Sequence, residues 1–302
     1  MGNRLETITQ YVDREDILTD EPMWKHTTFR TGGNADLLVR VTNEEQLGGL
    51  LRFLRGTGEE FFVLGNGSNL LVGDKGYSGV ILQLGSGFDR ITVDGNYVTA
   101  GAGSRMSAVA RKAAECGLTG LEFAAGIPGT IGGGVMMNAG AYNGEMKDVV
   151  ALVTVLGRNG EKRILDRTSM EFGYRSSVLR RSGETVTEVI LELTPGDRDE
   201  IYARMEDFAE RRRSRQPLEY PSAGSTFKRP EGYFAGKLIE DAGLRGYRIG
   251  GACVSEKHCG FIVNDQGATS AQIRALIEHV QDVVWKHSGV MLEPEVLFVG
   301  EF

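Results

Sequence analysis

The sequence predicts an α+β protein with short strands, a few amphipathic helices and long glycine-containing loops. Three observations lead to this class. Apolar runs of strand character are short, the turn sequences Asp94-Gly95 and Asn159-Gly160 separate pairs of them, and apolar residues recur at helical spacing in only a few segments. The 42 glycines among 302 residues are about twice the usual share of roughly 7%, and they concentrate in the loops.

The first half of the chain begins with a predicted helix. Leucines recur at helical spacing from Leu47 to Leu54, behind the polar residue Asn43. Ser104 is the predicted N-cap of a second helix, and Gly117 is placed to end that helix. Between the two helices we predict strands at 61–64, 80–84, 91–93 and 97–100.

The second half of the chain combines strands with two longer helices. A boundary is predicted near Gly196, after which a helix begins around Ile201 and runs to the basic residue Arg215. Thr269 and Gln272 predict a capping box at the start of the last helix, which has a long apolar face. The strands predicted in this half are 148–156, 162–165 and 186–193.

Composition and charge exclude several classes of protein. The formal net charge is -7 and the only basic run is 211–215, so we expect no nucleic-acid surface. The N-terminal residues lack the apolar stretch of a secretory signal, and the longest apolar-rich run, 149–156, is too short to span a membrane. We therefore expect a cytoplasmic protein with no membrane partner, and we expect a monomer.

The cysteines and histidines predict no metal site. Cys116, Cys253 and Cys259 match the spacing of neither a disulfide framework nor a zinc ribbon. His258 lies beside Cys259, but the four histidines of the chain are dispersed. We therefore predict reduced thiols and no bound metal.

The glycine-rich segment 126–145, GIPGTIGGGVMMNAGAYNGE, is the most informative part of the chain. Its glycines leave peptide N–H groups uncovered and permit positive φ, which is how a loop wraps around phosphate oxygens. The apolar residues between the glycines would seat a flat ring system beside the phosphates. We therefore predict a cofactor that carries a diphosphate. The alternative is a string of structural tight turns.

A second glycine-containing turn, Gly65-Asn66-Gly67-Ser68-Asn69, lies between two strand-like apolar runs. Its glycines permit close approach, and its asparagine and serine side chains offer donors to a phosphate or a ring. An ordinary Asn-Gly turn is the alternative interpretation. The chain contains neither G-x-G-x-x-G nor G-x-x-x-x-G-K-[ST], which disfavours a Rossmann or P-loop enzyme.

Three further segments carry residues suited to an anionic substrate. Arg175, in GYRSS at 173–177, could bind a planar carboxylate in a bidentate manner. Ser225 and Lys228 place a hydroxyl near a cation in a flexible loop. A glutamate of LEPEVLFV at 292–299 lies at the edge of an apolar strand. Taken singly, the first two have the ordinary alternatives of a surface ion pair and a solvent-exposed loop.

Together and in this order, these segments resemble the UDP-N-acetylenolpyruvoylglucosamine reductases, the MurB family of flavoenzymes, over nearly the full chain. The pieces that carry the resemblance are the turn 65–69, the segment 126–141, GYRSS at 173–177, AGSTFK at 223–228 and PEV at 294–296. No tyrosine-bearing insertion occurs between Arg229 and Gly260, so the chain is similar to the shorter of the two family subclasses.

The resemblance implies a division of the chain. An N-terminal segment, 1–29, is followed by an FAD-binding domain of the vanillyl-alcohol-oxidase (PCMH) type at 30–196, with two subdomains that divide near residue 85. A smaller α+β substrate-binding domain is implied at 197–302. The last strand, at about 293–302, is expected to return to the flavin site.

The resemblance also implies a reaction. NADPH reduces FAD and leaves, and UDP-N-acetylglucosamine enolpyruvate then receives a hydride from flavin N5 at its vinyl carbon. The product, UDP-N-acetylmuramate, is used in peptidoglycan synthesis, and thus in cell-wall growth, cell shape and division. The negative charge delocalises into the adjacent carboxylate as an enolate, so the site needs cations or acidic donors there and a proton donor for the neighbouring carbon.

The resemblance assigns roles to single residues of this chain. Ser225 matches the proton donor, and Arg175 and Glu295 match the residues that stabilise the enolate. The residues implied to bind FAD are Gly65, Asn66, Gly67, Ser68, Asn69, Gly126, Thr130, Ile131, Gly133, Asn138, Ala139, Gly140 and Ala141.

Substrate-binding residues are implied in the same way. Arg215 and Lys228 match the cations that meet the substrate diphosphate, and Tyr174 matches a residue at the substrate end of the flavin. Arg229 stands where many relatives have an asparagine that contacts the substrate, and its charge would replace that contact.

Two other functions are open at this point. A different FAD oxidoreductase of the same fold, which oxidises an alcohol and passes electrons to oxygen, would need a base near flavin N5 or a covalent flavin link, and no histidine lies in the glycine-rich segments. A non-catalytic flavin-binding protein would need the two glycine turns but not Arg175, Ser225 and Glu295. The presence of all three favours the reductase.

Overall fold

The computed structural model describes residues 2–302, which form two compact units. Unit 1 takes the N-terminal residues to Thr19, together with Leu37–Asn66 and Gly79–Arg211. Unit 2 takes Asp20–Asp36, Gly67–Ser78 and Arg212–Phe302.

Helices and strands are mixed along the chain, as an α+β protein requires. The α-helices are α1 (Gly2–Ile8), α2 (Glu44–Thr57), α3 (Met106–Glu115), α4 (Ile131–Met136), α5 (Met146–Val149), α6 (Leu179–Ser182), α7 (Arg198–Arg215), α8 (Ala235–Asp241) and α9 (Ser270–Ser288). The strands are β1 (Ile17–Pro22), β2 (Asn34–Val41), β3 (Phe61–Leu64), β4 (Leu70–Val72), β5 (Tyr77–Leu84), β6 (Ile91–Asp94), β7 (Tyr97–Gly101), β8 (Leu118–Thr119), β9 (Gly140–Ala141), β10 (Gly144–Glu145), β11 (Val150–Leu156), β12 (Lys162–Asp166), β13 (Thr185–Glu192), β14 (Thr194–Pro195), β15 (Arg248–Ile249), β16 (Ala252–Val254), β17 (Ile262–Asn264) and β18 (Leu297–Val299).

A four-stranded sheet in the order β1-β2-β5-β3 packs with helix α2 around one core. The side chain of Asn43 caps α2 by accepting the N–H of Gln46 at 2.9 Å. Gly58, at φ 71°, ends the helix in the left-handed conformation. The leucines that predicted this helix are buried, so the prediction is confirmed.

A five-stranded antiparallel sheet in the order β12-β11-β13-β7-β6 lies wholly in unit 1. With α3 and α4 it encloses a second core. Asp94 pairs with Tyr97 across one tight hairpin, and Leu156 pairs with Lys162 across the other. Both predicted hairpins are therefore confirmed.

Two predicted boundaries in unit 1 are wrong. Arg105, not Ser104, is the N-cap of α3. The main chain of Ser104 belongs to a turn that bonds to Gly101 and accepts the N–H of Ile131 at 2.8 Å, and this use of its main chain moves the helix start to Met106. Strand β11 begins at Val150 rather than at residue 148, because the preceding residues form the short helix α5.

Unit 2 has its own core, built from the antiparallel sheet β15-β16-β17 and the helices α8 and α9. The predicted capping box of Thr269 and Gln272 begins α9. The carboxylate of Asp74 also accepts the N–H groups of Ser270 and Ala271, both at 2.8 Å. Strand β4 runs parallel to β18, with Leu70 opposite Leu297.

These contacts explain how the two units divide the chain. Residues 67–78 join the C-terminal residues in unit 2 because β4 pairs with β18 and Asp74 caps α9. The implied limits of 30–196 and 197–302 placed this segment in the FAD-binding domain. Those limits, and the subdomain division near residue 85, stay a prediction. Within the described part of the chain, every helix falls short of the length and apolarity that a membrane crossing needs.

A buried carboxylate holds the part of helix α7 that belongs to unit 1. Glu122 is 8% exposed and accepts hydrogen bonds from Thr119 Oγ1 at 2.6 Å, from the N–H of Gly120 at 2.8 Å and from Arg204 Nη2 at 2.9 Å. Burial by itself raises the pKa of Glu122, but these hydrogen bonds together lower the pKa below its usual value of 4.5.

Removal of the arginine should therefore destabilise the protein in a pH-dependent way. We expect Arg204→Ala to lower the free energy of unfolding at pH 7 by about 2 kcal/mol, since hydrogen bonds to charged groups contribute roughly 1.5–3 kcal/mol. Because the folded-state pKa of Glu122 is depressed, its stabilisation is full above the unfolded-state pKa and is lost as pH falls through the folded-state pKa. The difference between wild type and variant should shrink in urea unfolding below pH 4.

Lys286→Ala is the control, because it removes the exposed pair with Asp282 on α9 and should cost only about 0.3 kcal/mol. A loss for Arg204→Ala that is equally large at neutral and acidic pH would contradict the assignment.

Candidate functional site

The two predicted glycine turns meet in unit 1. The side-chain amide of Asn66 donates to the carbonyl of Pro128. A Cβ atom at Gly65 would lie only 2.7 Å from Oγ1 of Thr130, so this position has no room for a side chain. Thr130 in turn caps α4 by accepting the N–H of Gly133 at 3.3 Å. The exposed residues Gly65 and Gly133 thus both lie next to the Thr130 hydroxyl.

This arrangement fits the diphosphate of FAD. Phosphate oxygens are commonly bound by main-chain N–H groups that no Cβ shields, and Gly65 leaves its main chain open next to a hydroxyl donor. Ile131 is fully buried and donates its N–H to Ser104, which fixes the start of α4. Ser104 is 2% exposed, and its hydroxyl has no hydrogen-bond partner among the described residues.

The rest of the first turn belongs to unit 2. Gly67 has φ 59°, and a Cβ there would lie 1.9 Å from the carbonyl oxygen of His26. After the half-buried Ser68, the Asn69 side chain donates to the carbonyl of Glu295 at 3.0 Å, and its own carbonyl accepts the N–H of Leu297 at 3.0 Å. Asn69 therefore fixes the main chain at Glu295, and its predicted contact with FAD stays a prediction.

The end of the glycine-rich segment has an unusual backbone. Asn138, Tyr142 and Asn143 have φ values of 45°, 51° and 66°, in the left-handed region that residues other than glycine seldom adopt. Strands β9 and β10, which flank Tyr142 and Asn143, pair Gly140 with Glu145. Half-buried Ala139 donates to Gly134 at 2.8 Å, and Ala141 is also half-buried. Such left-handed residues cluster at functional sites when the surroundings hold them.

Arg175 lies at the tip of a tight turn against this segment. Gly173 and Ser176 bond to each other through their main chains at 3.0 and 3.3 Å, and Arg175 has φ 50°. Nη2 of Arg175 donates to the carbonyl of Gly140 at 3.3 Å, and its guanidinium lies 5.2 Å from the ring centre of Tyr174. Tyr174 is half exposed. The predicted residues 138–141 and 174–175 are therefore neighbours in unit 1.

Asn138 uses its whole side chain on other protein groups. The residue has 0% exposure, and its amide nitrogen donates to Glu145 Oε2 at 2.9 Å and to the carbonyl of Gly173 at 3.0 Å. Its amide oxygen accepts the N–H of Lys147 at 2.9 Å. Both donor hydrogens are occupied, so its implied contact with FAD is left to the main chain or to the second lone pair of the oxygen.

Glu145, which was not predicted from the sequence, also bonds to Asn138. Its carboxylate accepts from Asn138 and pairs with Lys147 Nζ at 2.8 Å. Partial burial raises the pKa of Glu145, but hydrogen bonds from Lys147 and Asn138, with the charges of Lys147 and Arg175, lower it below its usual value. A carboxylate inside a glycine-rich cofactor segment was the signal available, since such a charge needs partners.

In unit 2, the segment of Ser225 lies beside the segment of Glu295. The N–H of Lys228 donates to Glu293 and the N–H of Glu295 donates to Thr226, both at 2.8 Å, as in an antiparallel pair. Ser225 is exposed and Glu295 is half-buried. The structure thus brings together Ser225, Lys228, Glu295 and Asn69, which are far apart in the sequence.

The predicted substrate-binding residues Arg215, Lys228 and Arg229 also lie in unit 2. Arg215 is exposed at the end of α7. The Lys228 ammonium forms an ion pair with Glu293, and the Arg229 guanidinium lies 4.0 Å from the ring centre of Phe234, within cation–π range. Gly126 is exposed in unit 1. Within residues 2–302 no cluster of His, Cys, Asp and Glu side chains has the size of a metal site.

Comparison with known proteins gives consistent results over nearly the whole chain. Residues 35–166 match the FAD binding domain family, and residues 216–299 match the family described as UDP-N-acetylenolpyruvoylglucosamine reductase, C-terminal domain. The UDP-N-acetylenolpyruvoylglucosamine reductase of Agathobacter rectalis is 49% identical over 99% of this chain and 98% of its own. The reductase of the same name from Caldanaerobacter subterraneus subsp. tengcongensis is 50% identical over 94% of each chain.

A solved structure agrees with these relatives. The crystal structure of UDP-N-acetylenolpyruvylglucosamine reductase (MurB) from Thermus caldophilus superposes with a TM-score of 0.81 at 36% identity, over 94% of this chain and 98% of that one. The predicted α+β fold with an FAD-binding domain is therefore confirmed. The chain belongs to the UDP-N-acetylenolpyruvoylglucosamine reductase family.

Proposed function

We infer that this protein is an FAD-dependent enzyme that uses NADPH to reduce UDP-N-acetylglucosamine enolpyruvate to UDP-N-acetylmuramate. The observation that carries the inference is the antiparallel pairing of residues 226–228 with 293–295. This pairing places Ser225 next to the segment of Glu295, in a chain that shares 49% of its residues with a reductase of this name.

The cofactor is held by the two glycine turns. Gly65 and Thr130 would face the diphosphate, with Gly126, Gly133 and the main chain from Ala139 to Ala141 along the same segment. FAD, when bound, supplies hydride transfer between NADPH and the vinyl carbon of the substrate. Asn66 ties one turn to the other through Pro128, so it supports the cofactor site even without touching the cofactor.

Three side chains would serve the proton transfer and the enolate. Ser225 is exposed on its loop and gives its hydroxyl proton to the carbon next to the carboxylate. Arg175 and Glu295 stabilise the enolate, Arg175 by its charge. A serine hydroxyl is a weak acid in water, so a cation must stabilise the developing alkoxide for this step at neutral pH.

The substrate diphosphate would be met by Arg215 and Lys228. In the described structure Lys228 is paired with Glu293, whose side chain is 68% exposed, and an anionic substrate would compete for that cation. Arg229 would add charge where relatives have asparagine, and Tyr174 would border the substrate. We also propose that the enzyme acts as a cytoplasmic monomer, which fits the net charge of -7.

The role of Ser225 can be tested by separating the two halves of the reaction. We expect Ser225→Ala to keep flavin reduction by NADPH and to slow reoxidation by UDP-N-acetylglucosamine enolpyruvate about 100- to 10,000-fold, the usual contribution of a positioned acid. Anaerobic stopped-flow absorbance measures each half separately. Ser222→Ala, three residues earlier in the same loop, is the matched control and should react like wild type. Equal slowing of both halves in Ser225→Ala would refute the proton-donor role.

The proposed binding of FAD beside Gly65 and Thr130 can be tested by substitution of Gly65. A Cβ at Gly65 would press on the Thr130 hydroxyl, so we expect Gly65→Ala to weaken FAD binding at least about 10-fold, as the loss of roughly 1.4 kcal/mol implies. The measurement is titration of the apoprotein with FAD, followed by fluorescence.

Gly56→Ala is the matched control. Gly56 lies in α2 and nothing lies within 4 Å of the position of its Cβ, so the variant should bind FAD normally and gain about 0.5–1 kcal/mol of stability. Normal FAD affinity in Gly65→Ala would show that the cofactor does not bind beside Gly65 and Thr130.

A further inference from the structure

We propose that Asn138 is a positioning residue that holds the turn of Arg175 for the second half of the reaction. The proposal rests on the proposed role of Arg175 in stabilising the enolate. It assigns Asn138 to the support of Arg175 through its side chain, in addition to any contact of its main chain with FAD. All the residues involved lie in unit 1.

Asn138 is fully buried, and both its amide nitrogen and its amide oxygen form hydrogen bonds with other protein groups. Its two amide hydrogens go to Glu145 and to the carbonyl of Gly173, and its oxygen accepts from Lys147. A buried amide with these three bonds has one orientation, since a flip of the amide would place its donors against the N–H of Lys147 and its oxygen against the Glu145 carboxylate.

The turn 173–176 is stabilised by hydrogen bonds that involve residues outside it. Its two main-chain bonds measure 3.0 and 3.3 Å, and Arg175 adopts φ 50°, which is costly for a residue with a side chain. Asn138 bonds to the first residue of the turn. Just beyond its last residue, the hydroxyl of buried Ser177 donates to Met136 at 2.8 Å. The glycine-rich segment therefore forms a hydrogen bond with the chain at each end of the turn.

The Arg175 guanidinium contacts the same glycine-rich segment and acts electrostatically on Glu145. Nη2 of Arg175 donates to Gly140, two residues after Asn138, and Arg175 contributes to the lowered pKa of Glu145. Asn138 bonds to Glu145 as well. The Asn138 amide thus positions both the turn that carries Arg175 and the carboxylate of Glu145, whose pKa the charge of Arg175 helps to lower. A shift of Asn138 would therefore move both groups.

The consequence for catalysis is selective. Enolate stabilisation depends on the position of a charge to within about 1 Å, and such a misplacement can cost about 100-fold in rate. Flavin reduction by NADPH forms no enolate. Loss of the Asn138 side chain should therefore slow reoxidation by the enolpyruvyl substrate much more than reduction.

The test compares single and double variants as full-length holoenzymes. We expect Asn138→Ala to slow reoxidation about 100-fold and to change reduction by NADPH less than about twofold. Because Asn138 acts through Arg175, Arg175→Ala/Asn138→Ala should reoxidise as fast as Arg175→Ala alone, within about twofold. Asn138→Asp keeps the size and the left-handed preference but loses the donors, so it should show the same selective loss if the alanine variant does not fold.

Asn143→Ala is the matched control. It removes another asparagine from the left-handed backbone of the same segment, φ 66°, where the side chain is exposed. It should therefore leave both half-reactions unchanged.

A second measurement does not depend on turnover. The loosened turn in the Asn138→Ala holoenzyme should be cut by trypsin after Arg175 at least about 10-fold faster than in wild type or Asn143→Ala, because cleavage follows local opening.

The outcomes separate the two proposals. If Arg175→Ala reoxidises at the wild-type rate, the proposed role of Arg175 fails. If Arg175→Ala is slow, three results would each overturn the positioning role of Asn138: equal slowing of both halves by Asn138→Ala, independent losses that multiply in the double variant, or unchanged cleavage after Arg175.

Discussion

The site depends on glycine positions where the backbone lies too close to a neighbouring group to leave room for a side chain. At Gly65 a Cβ would meet the Thr130 hydroxyl, and at Gly67 a Cβ would meet the carbonyl of His26. These contacts hold the first glycine turn in place while its outer face stays open. A diphosphate needs such a surface, because its oxygens must reach N–H groups that side chains would cover. Larger residues at either position would separate the elements that the turn joins.

Side-chain amides perform a second task in each of the two units. Asn66 bonds to Pro128, Asn69 to Glu295 and Asn138 to Gly173, and each bond reaches the main chain of a different segment. Asparagine suits this task because one short side chain supplies two donors and an acceptor. Residues implied to bind the cofactor therefore also fix the segments that carry Arg175 and Glu295.

Local features of the sequence predicted much of the fold. The leucine stripe of α2, the hairpin turns and the capping box of α9 each depend on residues only a few positions apart. Such features can be predicted from a short stretch of sequence. Ser104 shows where such local prediction fails. Serine is a common N-cap residue, yet the main chain of Ser104 forms hydrogen bonds with Gly101 and Ile131. The local sequence does not reveal the bond with Ile131.

The site was predictable as a set of segments but not as a set of contacts. The glycine turns, GYRSS and the glutamate strand are recognisable because their compositions are unusual. The bond from Asn138 to Gly173 joins positions 35 residues apart, and the bond from Asp74 to Ser270 joins positions 196 apart. Such partners depend on the tertiary fold, which is also why Glu145 escaped notice until its neighbours were in view.

The most direct test of the account is an anaerobic stopped-flow trace of flavin absorbance in the purified protein. NADPH should bleach the flavin, and UDP-N-acetylglucosamine enolpyruvate added afterwards should restore the absorbance in an amount equal to the substrate. A flavin that stays reduced after the substrate is added would contradict the account, because the reduced cofactor would then have a different acceptor.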